Sequence, residues 1–231
     1  MRLIMVRHGE PNYEKDCLTP RGREQARACA QRLRKENISR IFASSMGRAR
    51  ETASFTAELL GLPVTTLDFM REITWGGEGI PEDGHPWTLA DRMIQEENCD
   101  FFSADWRIHP WWKGNRATDC YDLVAERIDA LLAEQGFVHD GRRFLCRREN
   151  AETLALFSHG GSGGAALSHL LSLPFPYVLT VMPYYFTSVI ILEFPSAPGA
   201  YVRPRLELFN DICHLTPDAD GPKIQARRDG E

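Results

Sequence analysis

Three stretches of this chain carry side chains suited to chemistry on an anion. Arg7-His8-Gly9 closes the run LIMVRHG, Arg48 sits in SSMGRAR, and Ser158-His159-Gly160-Gly161 closes LALFSHGG. Guanidinium forks match the oxygens of a phosphate dianion in spacing and charge. A neutral imidazole is a nucleophile near pH 7. Gly9, Gly160 and Gly161 let backbone amides approach a ligand. The helix expected after Gly161 offers its N-terminus to the same anion.

These residues need elements that bring them together. RLIMV (2–6) and TLALFS (153–158) are short continuous apolar runs, as expected of strands buried on both faces. LTPRGREQARACAQRLRKE (18–36) reads as a helix with Thr19 as N-cap and Pro20 at its first position. Ala26, Cys29, Ala30 and Leu33 form its apolar stripe. A strand at 40–44, a helix at 48–61 closed by Gly61, and a strand at 64–69 follow. Later come helices at 118–135 and 163–173, a hairpin at 137–147 turning on Asp140-Gly141, and strands at 187–194 and 203–209, the last at an edge. Alternating strands and helices predict an α/β fold with a mostly parallel sheet. Ligands of such sheets bind beyond the carboxyl ends of the strands. Arg7-His8, Arg48 and His159 all fall just past such ends, so parallel strands would place them on one edge.

The remaining features narrow the class. The net charge is −5 over 231 residues, which implies no nucleic-acid partner. Six cysteines are scattered without a C-x-x-C pair, favouring a reducing cytoplasm over disulfides or a zinc ribbon. No apolar run approaches the ~18 residues of a membrane span. Residues 73–115 break the pattern, carry all five tryptophans and one helical stretch near 87–97, and read as an inserted lid. Most of these tryptophans should form the lid's own core, with one or two, such as Trp75 or Trp111, lining a pocket. Arg50 and the basic stretch 142–148 read as solvated, Glu10 as a loop organiser, and Asp68 as a strand-end acceptor. Asn210, Asp211 and His214 read as a fold-supporting cluster. The tail from about Thr216 has little to bury and should be mobile.

RHGE, LTPRGREQA, SSMGRARETA, MREITWG and SHGG occur in the order seen in the histidine phosphatase superfamily, also called phosphoglycerate-mutase-like, which the chain resembles over 2–76 and 153–164. The resemblance implies a three-layer α/β/α sandwich and a phosphohistidine mechanism with no metal or other cofactor. It makes His8 the nucleophile and Arg7, Arg48, His159 and Gly160 the phosphoryl-binding groups. Glu72 becomes the acid for the leaving oxygen, then the base for water. Gly160, not Asp, follows His159, which separates the chain from the acid phosphatase and phytase branch. Glu14 stands where the mutase pattern has Asn, and the mutase W-E-G is replaced by Glu78-Gly79, so the reading leans to a phosphomonoester hydrolase of a small phosphorylated substrate. A phosphomutase and a non-catalytic phospho-ligand binder are the alternatives.

Overall fold

A computed structural model describes residues 1–103 and 105–215. The stretch expected to be mobile from Thr216 lies outside them. In chain order the elements are β1 (Arg2–Arg7), β2 (Pro11–Asn12), β3 (Cys17–Leu18), α1 (Pro20–Leu33), β4 (Arg40–Ser44), α2 (Gly47–Leu60) and β5 (Val64–Leu67). Then come α3 (Pro86–Gln95), α4 (Arg116–Glu134), β6 (Phe137–Asp140), β7 (Arg143–Cys146), β8 (Thr153–Ser158), α5 (Gly160–Leu171), α6 (Phe175–Val181), β9 (Val189–Glu193), β10 (Tyr201–Val202) and β11 (Arg205–Asp211). The central sheet has six strands in the order β11-β9-β1-β8-β4-β5. The pairs β1–β8, β8–β4 and β4–β5 are parallel, and only β9 runs against its neighbours.

The period of two along β1 explains the layering. Leu3 and Met5 point into one core with Leu154, Leu156, Tyr121, Ile128 and Leu167, beneath α4 and α5. Ile4 and Val6 point into the other with Cys29, Leu33, Ala53 and Phe157, beneath α1 and α2. Both faces of β1 and β8 are covered, which is why their sequences are apolar without alternation. Thr19 caps α1 by accepting from the Gly22 amide at 3.0 Å, and Gly61 ends α2 in the left-handed conformation, as expected.

Four features differ from the sequence reading. The segment after Leu173 forms a helix, α6, that the proline-rich sequence did not suggest. β2 and β3 form a small hairpin between the first strand and α1. The 64–69 strand ends at Leu67, where Asp68–Met70 tighten into a 3₁₀ turn. Helix α5 begins three residues early, at Gly160, with His159 as its N-cap.

Residues 73–115 hold α3 and do not form a core of their own. Trp106 and Trp112 pack on Phe175 of α6 (centroids 5.8 and 6.0 Å), and their cluster continues into the core under α4 and α5. No single helix among the described residues is long and apolar enough to cross a membrane.

Candidate active site

The register of the sheet assembles the site. Arg7 pairs with Ser158 across β1–β8, and the His8 amide donates to the Ser158 carbonyl at 3.0 Å. Two histidines therefore leave neighbouring strands side by side, with ring centroids 5.1 Å apart. Arg48, at the start of α2 just beyond β4, points its Nε at His8 Nε2, 3.3 Å away. Arg7, His8, Arg48 and His159 thus share one edge of the sheet. Arg50 is exposed, as the register of α2 requires.

The hydrogen bonds fix the tautomer of His8. Its Nδ1 lies 2.7 Å from the Gly9 carbonyl, which only accepts, so Nδ1 carries the proton. The lone pair is then on Nε2, and the Arg48 Nε–H donates to it. His159 Nε2 lies 2.8 Å from Ser44 Oγ at the end of β4. Arg7 donates from Nη1 to the Tyr184 carbonyl at 2.6 Å and lies over the Phe186 ring. Arg48 is held by Asp16 at 2.6 Å, and Asp16 also accepts from the Gly47 amide. Among the described residues, the buried Arg7 Nε and His159 Nδ1 find no hydrogen-bond partner. Both suit an anion.

Glu72 follows the 3₁₀ turn after β5 and reaches the N-terminus of α5. Its Oε1 accepts from the amides of Gly161 (2.9 Å), Ser162 (3.1 Å) and Ile73 (3.0 Å), while Oε2 makes none of these bonds. The helix N-terminus is therefore occupied by a carboxylate of the chain, which corrects the expectation that it is offered to a ligand. The Gly9 amide is likewise committed, to Thr52 Oγ1 at 3.0 Å. Of the three glycines, Gly160 alone lines the cavity, close against the Arg7 guanidinium.

That cavity measures about 1720 Å³. Arg7, Arg48, Glu72 and Gly160 belong to its wall, whereas His8 and His159 lie beneath it, at 1% and 0% exposure. Trp75 and Trp87 line it; Trp111 does not, because its ring lies over Arg92 and beside His109. Sequence reasoning missed Asp16, Ser44, Arg71 and the aromatic stretch Tyr184–Phe186. The run PYYF after α6 was the available signal for the last of these.

Outside the site, Glu10 organises the loop by accepting from Thr19, and Asp68 accepts from Ser45. Asp211 pairs with Arg32, Asn210 accepts from the Tyr185 amide, and His214 meets Thr187, a fold-supporting cluster as expected. Among the described residues, the grouping with metal-ligand chemistry is Asp129, His139 and His169. It lies at the far end of α5 from His159, and its Asp bridges the two histidines at 2.8 Å each.

Burial, reinforced by Arg7 and His159, pushes the His8 pKa well below its usual value. Burial with Arg48, Arg7 and Arg71 takes His159 down to about 2. Both rings are thus neutral in the fold but regain an ordinary pKa near 6.5 on unfolding. Below pH 6.5 the unfolded chain binds more protons, so stability falls as pH falls. His159 should cost roughly 2 kcal/mol of stability by pH 5, and His8 acts in the same direction. His214, which burial takes to about 4, adds to the slope. Denaturant midpoints in phosphate-free buffer should drop between pH 7 and pH 5, and less steeply in His159→Asn. A level profile in that window would contradict two neutral buried rings.

A mostly parallel-sheet protein with an arginine-walled pocket over two buried histidines is the class that fold and site define. Within it the chain belongs to the histidine phosphatase superfamily (branch 1), which residues 3–206 match. This places it among phosphatase- and mutase-type enzymes. "Probable phosphoglycerate mutase GpmB" of Serratia proteamaculans (strain 568) is 35% identical over 239 residues, covering 95% of this chain and 98% of that one. Among solved structures, a mycobacterial glucosyl-3-phosphoglycerate phosphatase with inorganic phosphate is 27% identical, with a TM-score of 0.59, covering 93% and 99% of the two chains. The Entamoeba histolytica phosphoserine phosphatase with 3-phosphoglyceric acid shares the fold, with a TM-score of 0.61 at 23% identity over 93% and 99%.

Proposed function

We propose that the chain hydrolyses phosphate monoesters through a phosphohistidine on His8, with Glu72 as acid and then base. The observation that carries this is the protonation pattern of His8: Nδ1 is tied to Gly9, and the Nε2 lone pair faces the arginine that would bind phosphate. Arg48 covers that lone pair in the free protein, so a phosphoryl group must draw its guanidinium onto phosphate oxygens to expose it. Arg7, His159 and Gly160 complete the oxygen cradle.

The steps balance on these atoms. His8 Nε2 attacks phosphorus, the ester P–O bond breaks, and the leaving alkoxide takes a proton from Glu72. Glu72 then takes a proton from water, the water oxygen attacks phosphorus, and the P–N bond breaks with its pair returning to Nε2. Oε1 anchors Glu72 on three amides, which leaves Oε2 for proton transfer. Positioning and charge dominate such transfers, and the site supplies both without a metal.

Hydrolysis is favoured over mutase chemistry by the size of the cavity. Ligand pockets commonly measure ~300–1,000 Å³; at about 1720 Å³ this one leaves space for water beside a three-carbon glycerate. Residues 73–115 act as a lid over it. The relatedness to proteins named as probable phosphoglycerate mutases favours the second reading. A panel of natural phosphate esters, with His8→Ala as blank, tests the first. Adding a bisphosphate primer with a monophosphoglycerate tests the second, and isomerisation outpacing phosphate release would decide for the mutase. The arginines supply the positive charge, so activity should survive EDTA. Loss on chelation with rescue by Mg²⁺ or Zn²⁺ would refute the metal-free mechanism.

A further inference from the structure

Away from the arginines, the cavity wall changes character. Trp75, His85 and Trp87 form a mutual set: Trp75–His85 at 5.1 Å, His85–Trp87 at 5.4 Å and Trp75–Trp87 at 6.3 Å between centroids. All three line the cavity, as does Asp83. The His85 ring is uncharged: its Nδ1 meets Thr88 at the start of α3, and burial lowers its pKa. The other carboxylates of the wall are engaged. Glu72 holds amides, Glu10 holds Thr19, and Glu82 pairs with Arg92. Asp83 has no hydrogen bond or ion pair among the described residues.

The backbone around Asp83 is held in an uncommon shape. Glu82 and Asp83 both have left-handed φ, 52° and 50°. Such conformations in non-glycine residues persist where neighbours over-determine them, and they gather at functional sites. Here the clamp is Asn115, which is buried. Its Oδ1 accepts from the Gly76 amide (3.2 Å) and its Nδ2 donates to the Gly84 carbonyl (2.9 Å). The two glycine backbones touch: a Cβ on Gly84 would lie 2.4 Å from Gly76 Cα. Trp75 and His85 are the outer neighbours of those glycines, so the clamp sets the rings and the carboxylate in advance of any ligand.

Aromatic faces carry partial negative charge and attract cations, and Asp83, solvent-exposed on the same wall, adds a carboxylate. Of the cations nearby, Arg92 is paired with Glu82 and Glu96, and Arg116 keeps its charge and donates to the Trp75 carbonyl. The cavity is therefore bipolar, with guanidiniums at one end and π-faces with a free carboxylate at the other. We propose that Trp75, His85, Trp87 and Asp83 form a cation subsite, and that the ester's organic group carries an ammonium centre seated there. The substrate class rests on the phosphatase reading of the other end, whereas the subsite itself does not.

Two arms test it. In the first, tryptophan fluorescence is titrated with choline and with 3,3-dimethylbutanol, its uncharged isostere, at constant ionic strength. Choline should give a saturable change that Asp83→Asn weakens, and the alcohol should not. In the second, kcat/KM is compared for phosphocholine against 3,3-dimethylbutyl phosphate, and for phosphoethanolamine against propyl phosphate. The charged ester should be preferred about 3–30-fold, mostly through KM. Asp83→Asn should bring the ratio to within about twofold, and Trp87→Leu should lower it, with circular dichroism unchanged. Equal behaviour of both members of both pairs, or a ratio that survives Asp83→Asn, overturns the proposal. If no ester is hydrolysed, the phosphatase reading fails, and the choline titration still decides the subsite.

Discussion

His8→Ala should lower phosphate release by roughly 10⁴-fold or more, the scale on which deleting a nucleophile acts. The fold should survive, because alanine relieves a desolvated imidazole and the adjoining hydrogen bonds of β1 belong to the backbone. Wild-type protein mixed with a ³²P-labelled ester and quenched in alkali should carry label on His8, and the alanine variant should carry none. The adduct should be stable to base and lost in acid, since protonating the imidazole restores it as a leaving group. Label on another residue, or turnover by His8→Ala near the wild-type rate, would assign the nucleophile elsewhere.

Glu72→Gln should slow phosphorylation of the enzyme by alkyl phosphates ~10²–10⁴-fold, the range of general-acid catalysis, and by p-nitrophenyl phosphate far less. The glutamine keeps the shape and a side-chain oxygen for the Gly161, Ser162 and Ile73 amides, so α5 stays seated. What it removes is the transferable proton. An aliphatic alkoxide needs that proton to leave, and p-nitrophenolate does not. The comparison must be made on the first step by rapid quench, because the later attack of water needs Glu72 as a base for either substrate. Equal loss on both substrates in that step would remove Glu72 as the acid.

Much of this was legible in the sequence because the chemistry sits where the pattern changes. β1 and β8 are apolar runs that stop at Arg7-His8 and Ser158-His159, and parallel pairing then brings the stops together. Thr19, Pro20 and Gly61 mark helix ends through local rules that tertiary structure did not override. The start of α5 was illegible for a physical reason. Gly160-Gly161-Ser162-Gly163-Gly164 has low helix propensity, and its glycines serve close packing. A Cβ on Gly161 would sit 2.4 Å from Ile73 and 2.6 Å from Glu72 Oε1, and one on Gly163 would sit 2.5 Å from Tyr184. Those partners are distant in sequence, so nothing local reveals them. Asp16 escaped for the same reason: its role depends on Arg48 and Gly47, some thirty residues on.

The packing of Trp106 and Trp112 on Phe175 bears on how such proteins could exchange specificity. A chimera that transplants residues 73–115 from a relative would sever one apolar cluster and leave Phe175 facing strangers. Tyr121 of α4, 5.2 Å from Trp106 by ring centroids, would lose that neighbour too. The transferable unit is instead discontinuous: 73–115 together with 175–186, the stretch that also supplies the Tyr184 carbonyl to Arg7. Recombination that moves both pieces would carry over the wall of the pocket and the brace of Arg7 at once. Moving either alone should give a misfit core before it gives a new substrate.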